Sequence, residues 1–250
     1  MKAAELKLCG LATVRARFAR DARSIQRLYF DYATGRKVGV MCKALAGARK
    51  VYRCVEPAEL EKIAGTVHHG GIVAVVTAPI LRAPTAADFQ AWATARAPVL
   101  LLDRIGNAHN LGAIARTAGF FGVTHLVLPD DPVAALPGEA AYRVAEGALE
   151  SVQVFRAPSL VHLGGELIAA GYEVVGAATR GGRPELARPR AVAAKPVALA
   201  LGNEEHGLAP ALLGVCTRTV TIPGRGAVES LNVSVAAAVL MWELFARRPG

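Results

Sequence analysis

Three short stretches of this chain put glycine and small polar side chains directly after an apolar run. They are "DRIGNAHNLGAIARTAG" (103–119), "LGNEEHGL" (201–208) and "IPGRGAVESLNVS" (222–234). Asn110, Arg116, Glu204, Ser230 and Asn232 stand out in them. Taken singly, Asn110 and Ser230 read as helix caps, Glu204 as a solvated charge and Arg116 as an exposed helix residue; Gly224 and Gly226 mark a tight turn. Taken together they describe something else. Loops at the carboxyl ends of buried parallel strands leave backbone groups and helix N-termini facing a crevice, where ligands bind.

Several chemistries are disfavoured by what these stretches lack. No G-x-G-x-x-G joins a strand to a helix; "GRGAVE" (224–229) has two of the glycines and not the third. A P-loop and a G-x-S-x-G nucleophile elbow are missing as well. The four cysteines (Cys9, Cys42, Cys54, Cys216) have no C-x-x-C spacing and read as buried small hydrophobes rather than a zinc or disulfide set. His68 and His69 are adjacent, poor geometry for one metal, so no metal is expected. His109 and His206 read as loop residues without a catalytic role.

The elements that must position these residues are legible as alternating patterns. Before residue 79, "LATVRARFAR" reads as a helix with its arginines on the polar side, "IQRLYFD" and "KVYRCV" as strands, and "GRKVGVMCKALAGA" as a helix. "EPAELEKIAG" is a short helix with Pro57 in its first turn and Gly65 after its end, and "GGIVAVVTAP" is a buried strand. Residues 79–97, with Pro79, Pro84 and Pro98 in or beside them, read as a linker holding one short helix. Beyond it "VLLLDRI", "HLVLPD", "VQVFRA", "YEVVGAAT", "PVALALG" and "RTVTI" read as strands. Helices fall in "NLGAIARTAGFFG", "EAAYRVAEGALE" and "SLVHLGGELIAAG", with a last one from near Ser230. The alternation predicts an α/β fold with a parallel sheet between helices. The expected organisation is an N-terminal domain over 1–78, the linker, and a second domain over 98–250.

Charge divides the chain the same way. Of a net +9, residues 1–80 carry 14 Lys and Arg against 6 Asp and Glu, and the remainder is near neutral. A polyanionic partner held by the N-terminal part follows, most simply a nucleic acid. No apolar run approaches the roughly 18–20 residues of a membrane span, and the N-terminus lacks the pattern of a signal peptide. A cytoplasmic location is expected.

In order and spacing the three stretches closely resemble the three motifs of the SpoU-type, TrmH-like branch of the knotted SPOUT RNA methyltransferases. The first is matched by "NAHNLGAIARTAGFFGV", the second by "LGNEEHGL" and the third by "IPGRGAVESLNVSVAAAV". The resemblance covers about Val99 to Phe245. The N-terminal part is similar to the substrate-recognition domain of one branch, a small α/β domain like a ribosomal protein, most clearly at "GTVHHGGIVAVV". Asn107-Ala108 stands where many relatives have Asp-Pro, a departure that touches loop shape.

The resemblance implies a fold and a reaction. The fold is a trefoil-knotted parallel-sheet methyltransferase domain that dimerises through the knotted region. The reaction is methylation of ribose 2′-hydroxyls in structured RNA with S-adenosyl-L-methionine, rRNA being the first expectation and tRNA the second. A non-catalytic RNA-binding or ribosome-assembly protein of the same fold is the alternative in a different class. It further implies that Gly202, Ile222 and Leu231 contact the cofactor, and that Asn110, Arg116, Glu204, Ser230 and Asn232 serve catalysis. A guanidinium stays protonated in proteins. Arg116 is therefore read as binding an RNA phosphate and stabilising the forming alkoxide, the proton leaving to a phosphate oxygen or water. Val233, Ala237, Leu240, Met241 and Leu244 form a stripe that packs within the chain or across a two-fold axis.

Overall fold

A computed structural model of the protein describes residues 4–179, 183–184 and 195–246. It contains two sheets. The first is built from β1 (Glu5–Cys9), β2 (Ile25–Phe30), β3 (Val51–Cys54) and β4 (Ile72–Thr77), in the order β1-β4-β2-β3. Around it lie α1 (Leu11–Asp21), α2 (Tyr32–Gly35), α3 (Gly39–Gly47) and α4 (Pro57–Ala64). β4 is antiparallel to both neighbours, and β2 and β3 run parallel. The chain then passes through α5 (Ala86–Thr94), which opens on a Thr85–Asp88 capping box reinforced by both terminal nitrogens of Arg82.

The second sheet has seven strands in the order β7-β6-β5-β10-β8-β11-β9, every pair parallel. They are β5 (Val99–Leu102), β6 (His125–Pro129), β7 (Gln153–Ala157), β8 (Glu173–Ala177), β9 (Arg183–Pro184), β10 (Val197–Leu201) and β11 (Arg218–Thr221). α6 (Ala108–Phe120), α7 (Glu139–Ala145), α8 (Leu160–Ala169), α9 (Pro210–Val215) and α10 (Val233–Met241) surround them. α10 runs on into a π turn at Trp242–Ala246. All four side chains of β5 are fully buried, as a strand covered on both faces requires.

The structure adds one strand and corrects five expectations, among them that His109, expected in a loop, lies in the first turn of α6. β1 was not legible in "ELKLC"; Leu6 and Leu8 alternate with polar neighbours over too few residues to signal a strand, yet both are buried against the core. α1 does not keep all its arginines in solvent. Arg17 is 5 % exposed, and its Nε lies 2.8 Å from a carboxylate oxygen of Glu150, itself 7 % exposed. The helix read through "EAAYRVAEGALE" breaks after Ala145, because Glu146 and Gly147 both take left-handed conformations before a 3-10 turn at Ala148–Glu150. The last helix starts at Val233 with Asn232 as its cap, so Ser230 lies in the preceding loop. Cys54 is exposed on β3, and Cys42 and Cys216 are half-buried.

The contact between the sheets is polar and buried at its centre. Around the Arg17–Glu150 pair, Arg17 donates to the Tyr142 hydroxyl at 3.1 Å, the Thr13 hydroxyl donates to the Tyr142 carbonyl, and Arg20 donates to the Leu149 carbonyl. Burial pushes the Glu150 carboxyl up, opposed by Arg17 and Arg20. Gly147 permits the approach, since a Cβ there would come 3.0 Å from the Ala16 Cβ. The stripe on α10 is settled too: Val233, Ala237, Leu240, Met241 and Leu244 are all buried within the chain. Among the described residues no helix is long and apolar enough to cross a membrane.

Candidate active site

The three motif loops meet at the carboxyl ends of β5, β10 and β11. Asn110 stands in the first turn of α6, whose N-terminus is capped by Asn107 accepting from the His109 amide. Its side-chain amide donates to Glu204 Oε1 at 2.6 Å, and its side-chain oxygen accepts from the Asn232 amide at 3.2 Å. Asn232 uses its own oxygen to cap α10 through the amide and hydroxyl of Ser234. One hydrogen-bonded line, Glu204–Asn110–Asn232, therefore ties the three loops together, with Asn110 half-buried between exposed Glu204 and Asn232.

Arg116 is not on that line. It lies six residues beyond Asn110, about 9 Å along α6 and roughly 120° around it. Its terminal nitrogen pairs with Glu146 Oε2 at 2.9 Å. On the same face of α6, His109 Nε2 is 3.4 Å from Arg143 of α7. Glu204 thus orients Asn110 and not Arg116. Ser230 is exposed in the loop before α10.

The second loop owes its shape to residues that the sequence reading did not single out. Asn203 and Gly207 exchange both backbone hydrogen bonds. The Asn203 side chain donates to the Arg104 carbonyl and accepts from the amides of Glu205 and His206. Buried Asp103 accepts from the Ala209 amide at 2.7 Å and pairs with Arg104. An acidic residue at the end of a fully apolar strand was the available signal for Asp103. Gly202 has no room for a side chain: a Cβ would stand 2.1 Å from the Gly207 carbonyl carbon.

Gly202, Ile222 and Leu231, the residues expected to meet the cofactor, lie on the second and third of these loops. Among the described residues, no loop, turn or cap hydrogen bond takes the backbone groups of Gly202, Ile222 or Leu231, and Leu231 is half-exposed. No group of His, Cys, Asp and Glu with metal-binding geometry occurs among the described residues.

Two family models match the chain. The SpoU rRNA methylase family matches residues 97–242, and the RNA 2′-O ribose methyltransferase substrate-binding family matches residues 7–81. The chain is 35% identical to the 23S rRNA (guanosine-2′-O-)-methyltransferase RlmB of Ralstonia nicotianae, covering 96% of this chain and 95% of that one. It is 32% identical to the RlmB of Nitrosomonas europaea, over 94% and 89%. A TrmH-family RNA methyltransferase structure from Porphyromonas gingivalis superposes with a TM-score of 0.76 at 26% identity, over 98% of this chain and 90% of that one. The fold is also that of AviRb from Streptomyces viridochromogenes in complex with AdoMet, with a TM-score of 0.73 at 24% identity, over 97% and 90%. With both family models laid end to end along it and its motif loops joined by Asn110, the chain belongs to the SpoU rRNA methylase family.

Proposed function

We propose that this protein transfers a methyl group from S-adenosyl-L-methionine to a ribose 2′-hydroxyl of a structured RNA, with ribosomal RNA as the substrate. The Glu204–Asn110–Asn232 line carries the reading, because it makes one site of three loops that are far apart in sequence. The ribosomal preference draws on the two RlmB relatives, whose names specify 23S rRNA and which this chain matches over nearly their full length. tRNA remains the second substrate class, since another relative, YfiF of Escherichia coli O157:H7, is named as a tRNA/rRNA methyltransferase.

The bound cofactor supplies an electrophilic methyl on a sulfonium, and Gly202, Ile222 and Leu231 hold its adenosine part through their backbones. The chain does the rest by placement, which for a displacement in line with the 2′-oxygen is much of the work. Asn110 has both its donor and its acceptor engaged, so its orientation is fixed before substrate arrives. Asn232 and Ser230 border the ribose. Arg116 keeps its charge throughout and binds the RNA phosphate beside the forming alkoxide, so the 2′-proton leaves to a phosphate oxygen or water. The basic domain over 1–78 holds the RNA, and residues 79–97 join it to the methyltransferase domain over 98–250.

Two features of assembly belong to the same reading. The expected trefoil knot draws support from β10 lying between β5 and β8 and from α10 packing on α6. Opposite its buried stripe, α10 carries Val235 and Val239, flanked by Leu231 in the loop before it and Trp242 in the π turn after it, all exposed. The Trp242 ring lies 6.1 Å from that of Phe121, tilted by 52°, and the neighbouring Phe120 is also exposed. This ridge is the two-fold interface of a homodimer acting in the cytoplasm. Mapping 2′-O-methylation across total RNA from cells with and without the gene tests the function. One rRNA mark should vanish; loss of a tRNA mark alone would overturn the ribosomal assignment, and no loss would overturn the activity.

A further inference from the structure

Glu146 occupies a conformation that is unfavourable for its residue type. α7 gives way at this residue with φ 46, in the left-handed region where glycine or asparagine usually closes a helix. The path of the turn is set from outside. Gly147 follows with φ 94 against α1, and Glu150, at the end of the same turn, is gripped by Arg17. Strained backbone of this kind persists where its surroundings hold it, and it is a pointer to function.

What the conformation delivers is one contact, the Glu146 carboxylate 2.9 Å from the Arg116 guanidinium. The two helices are close enough for it because Gly112 faces Ala141, where a Cβ would stand 2.5 Å from the carbonyl oxygen. Both side chains are more than half exposed, 57% for Arg116 and 56% for Glu146. An exposed pair adds little to stability, less than a left-handed non-glycine residue gives up relative to glycine. Stability therefore does not account for a glutamate here. The nearest contact is made by one Nη of a group that carries five N–H donors on a side chain more than half exposed.

We propose that Glu146 is a positioning residue for Arg116. It holds the guanidinium by one corner, so that the remaining donors meet the RNA phosphate and the 2′-oxygen in a single orientation. The inference rests on the role given to Arg116 above. It also gives the contact between the sheets a catalytic consequence, because the turn that carries Glu146 is the one α1 packs against.

The test measures methyl transfer by the full chain from tritiated S-adenosyl-L-methionine to total RNA from cells lacking the gene. Glu146→Ala and Glu146→Gly are expected to lower kcat about tenfold, with the apparent KM for RNA within about twofold of wild type. Glu146→Gln keeps an acceptor for the guanidinium and is expected to stay within about threefold of wild type. Glu146→Gly removes the backbone strain, so its Tm should rise by about 2 °C while turnover falls, which no purely structural role would give. In the Arg116→Ala background, Glu146→Ala should slow the enzyme no further. Wild-type kcat in Glu146→Ala beside an inactive Arg116→Ala overturns the inference and leaves the role of Arg116 standing. Independent, multiplying losses in the double variant overturn it as well. Full turnover in Arg116→Ala overturns the role of Arg116 and the inference with it.

Discussion

Asn110 works because an amide is donor and acceptor at once. It donates to Glu204 from its nitrogen and accepts from Asn232 at its oxygen, two separate atoms of one neutral group. Asn110→Asp would remove the donor and set two carboxylates 2.6 Å apart at neutral pH. Turnover should fall at least about 100-fold, whereas Glu204→Gln, which keeps an acceptor, should cost about tenfold; steady-state kinetics on both variants checks the order. A reversal would mean that the charge of Glu204 matters beyond its hold on Asn110. Arg116 poses a different question, because its charge and its fork of donors are separable. Arg116→Lys keeps the charge, loses the fork and should lower kcat by about 10- to 100-fold, with Arg116→Ala lower still. The pH–rate profile of the lysine variant should keep its wild-type shape. A new titrating limb together with restored turnover would instead make the group at this position a base.

The loop between β10 and α9 shows how an element serves those residues. Asn203 and Gly207 close it, Asp103 anchors its far end, and Gly202 lies against its inner wall. A methyl at Gly202 would stand 2.1 Å from backbone carbon, which no rotamer relieves, so Gly202→Ala must displace the loop that carries Glu204. Calorimetry should show S-adenosyl-L-methionine affinity falling at least about tenfold, with the far-UV spectrum unchanged because the sheet lies outside the disturbance. Affinity equal to wild type would remove this loop from the cofactor site. The elements themselves were largely legible in the sequence: β5 and β10 as unbroken apolar runs, the loops after them as glycine and polar clusters. Asn110, Glu204 and Asn232 were legible as motif residues, though their mutual hydrogen bonds were not. What escaped depended on partners far along the chain. Arg17 looks like a solvated helix charge until Glu150 is folded against it. The break in α7 comes from the packing of Gly147 on α1, and Glu146 owes its position to that break. Local pattern carries periodicity and caps; it does not carry the other side of an interface.

At the scale of the molecule, two surfaces of the methyltransferase sheet's helices are committed differently. One, formed by α7 and the turn to Glu150, is closed by the N-terminal domain through a buried ion pair. Such a pair costs desolvation when it forms, and losing either partner is strongly destabilising, so it holds the domains in one register. The other, along α10 and the end of α6, remains open. Leu231, Val235, Val239, Trp242 and Phe120 make it apolar, and α10 has already spent its opposite face on the core. An exposed apolar ridge beside the motif loops is the surface that the proposed homodimer would bury. A two-fold axis through it would bring two copies of the third motif loop together, since Leu231 lies between Ser230 and Asn232. Trp242→Glu leaves the buried stripe untouched, so each chain should keep its fold and its Tm to within a few degrees. Sedimentation velocity at about 10 μM should then find dimers for the wild type and monomers for the variant, with 2′-O-methyl transfer falling in step, as placing one charge inside an apolar interface costs several kcal/mol. A wild-type protein that sediments as a monomer and still turns over would leave the ridge without a partner copy and confine the whole site to one chain.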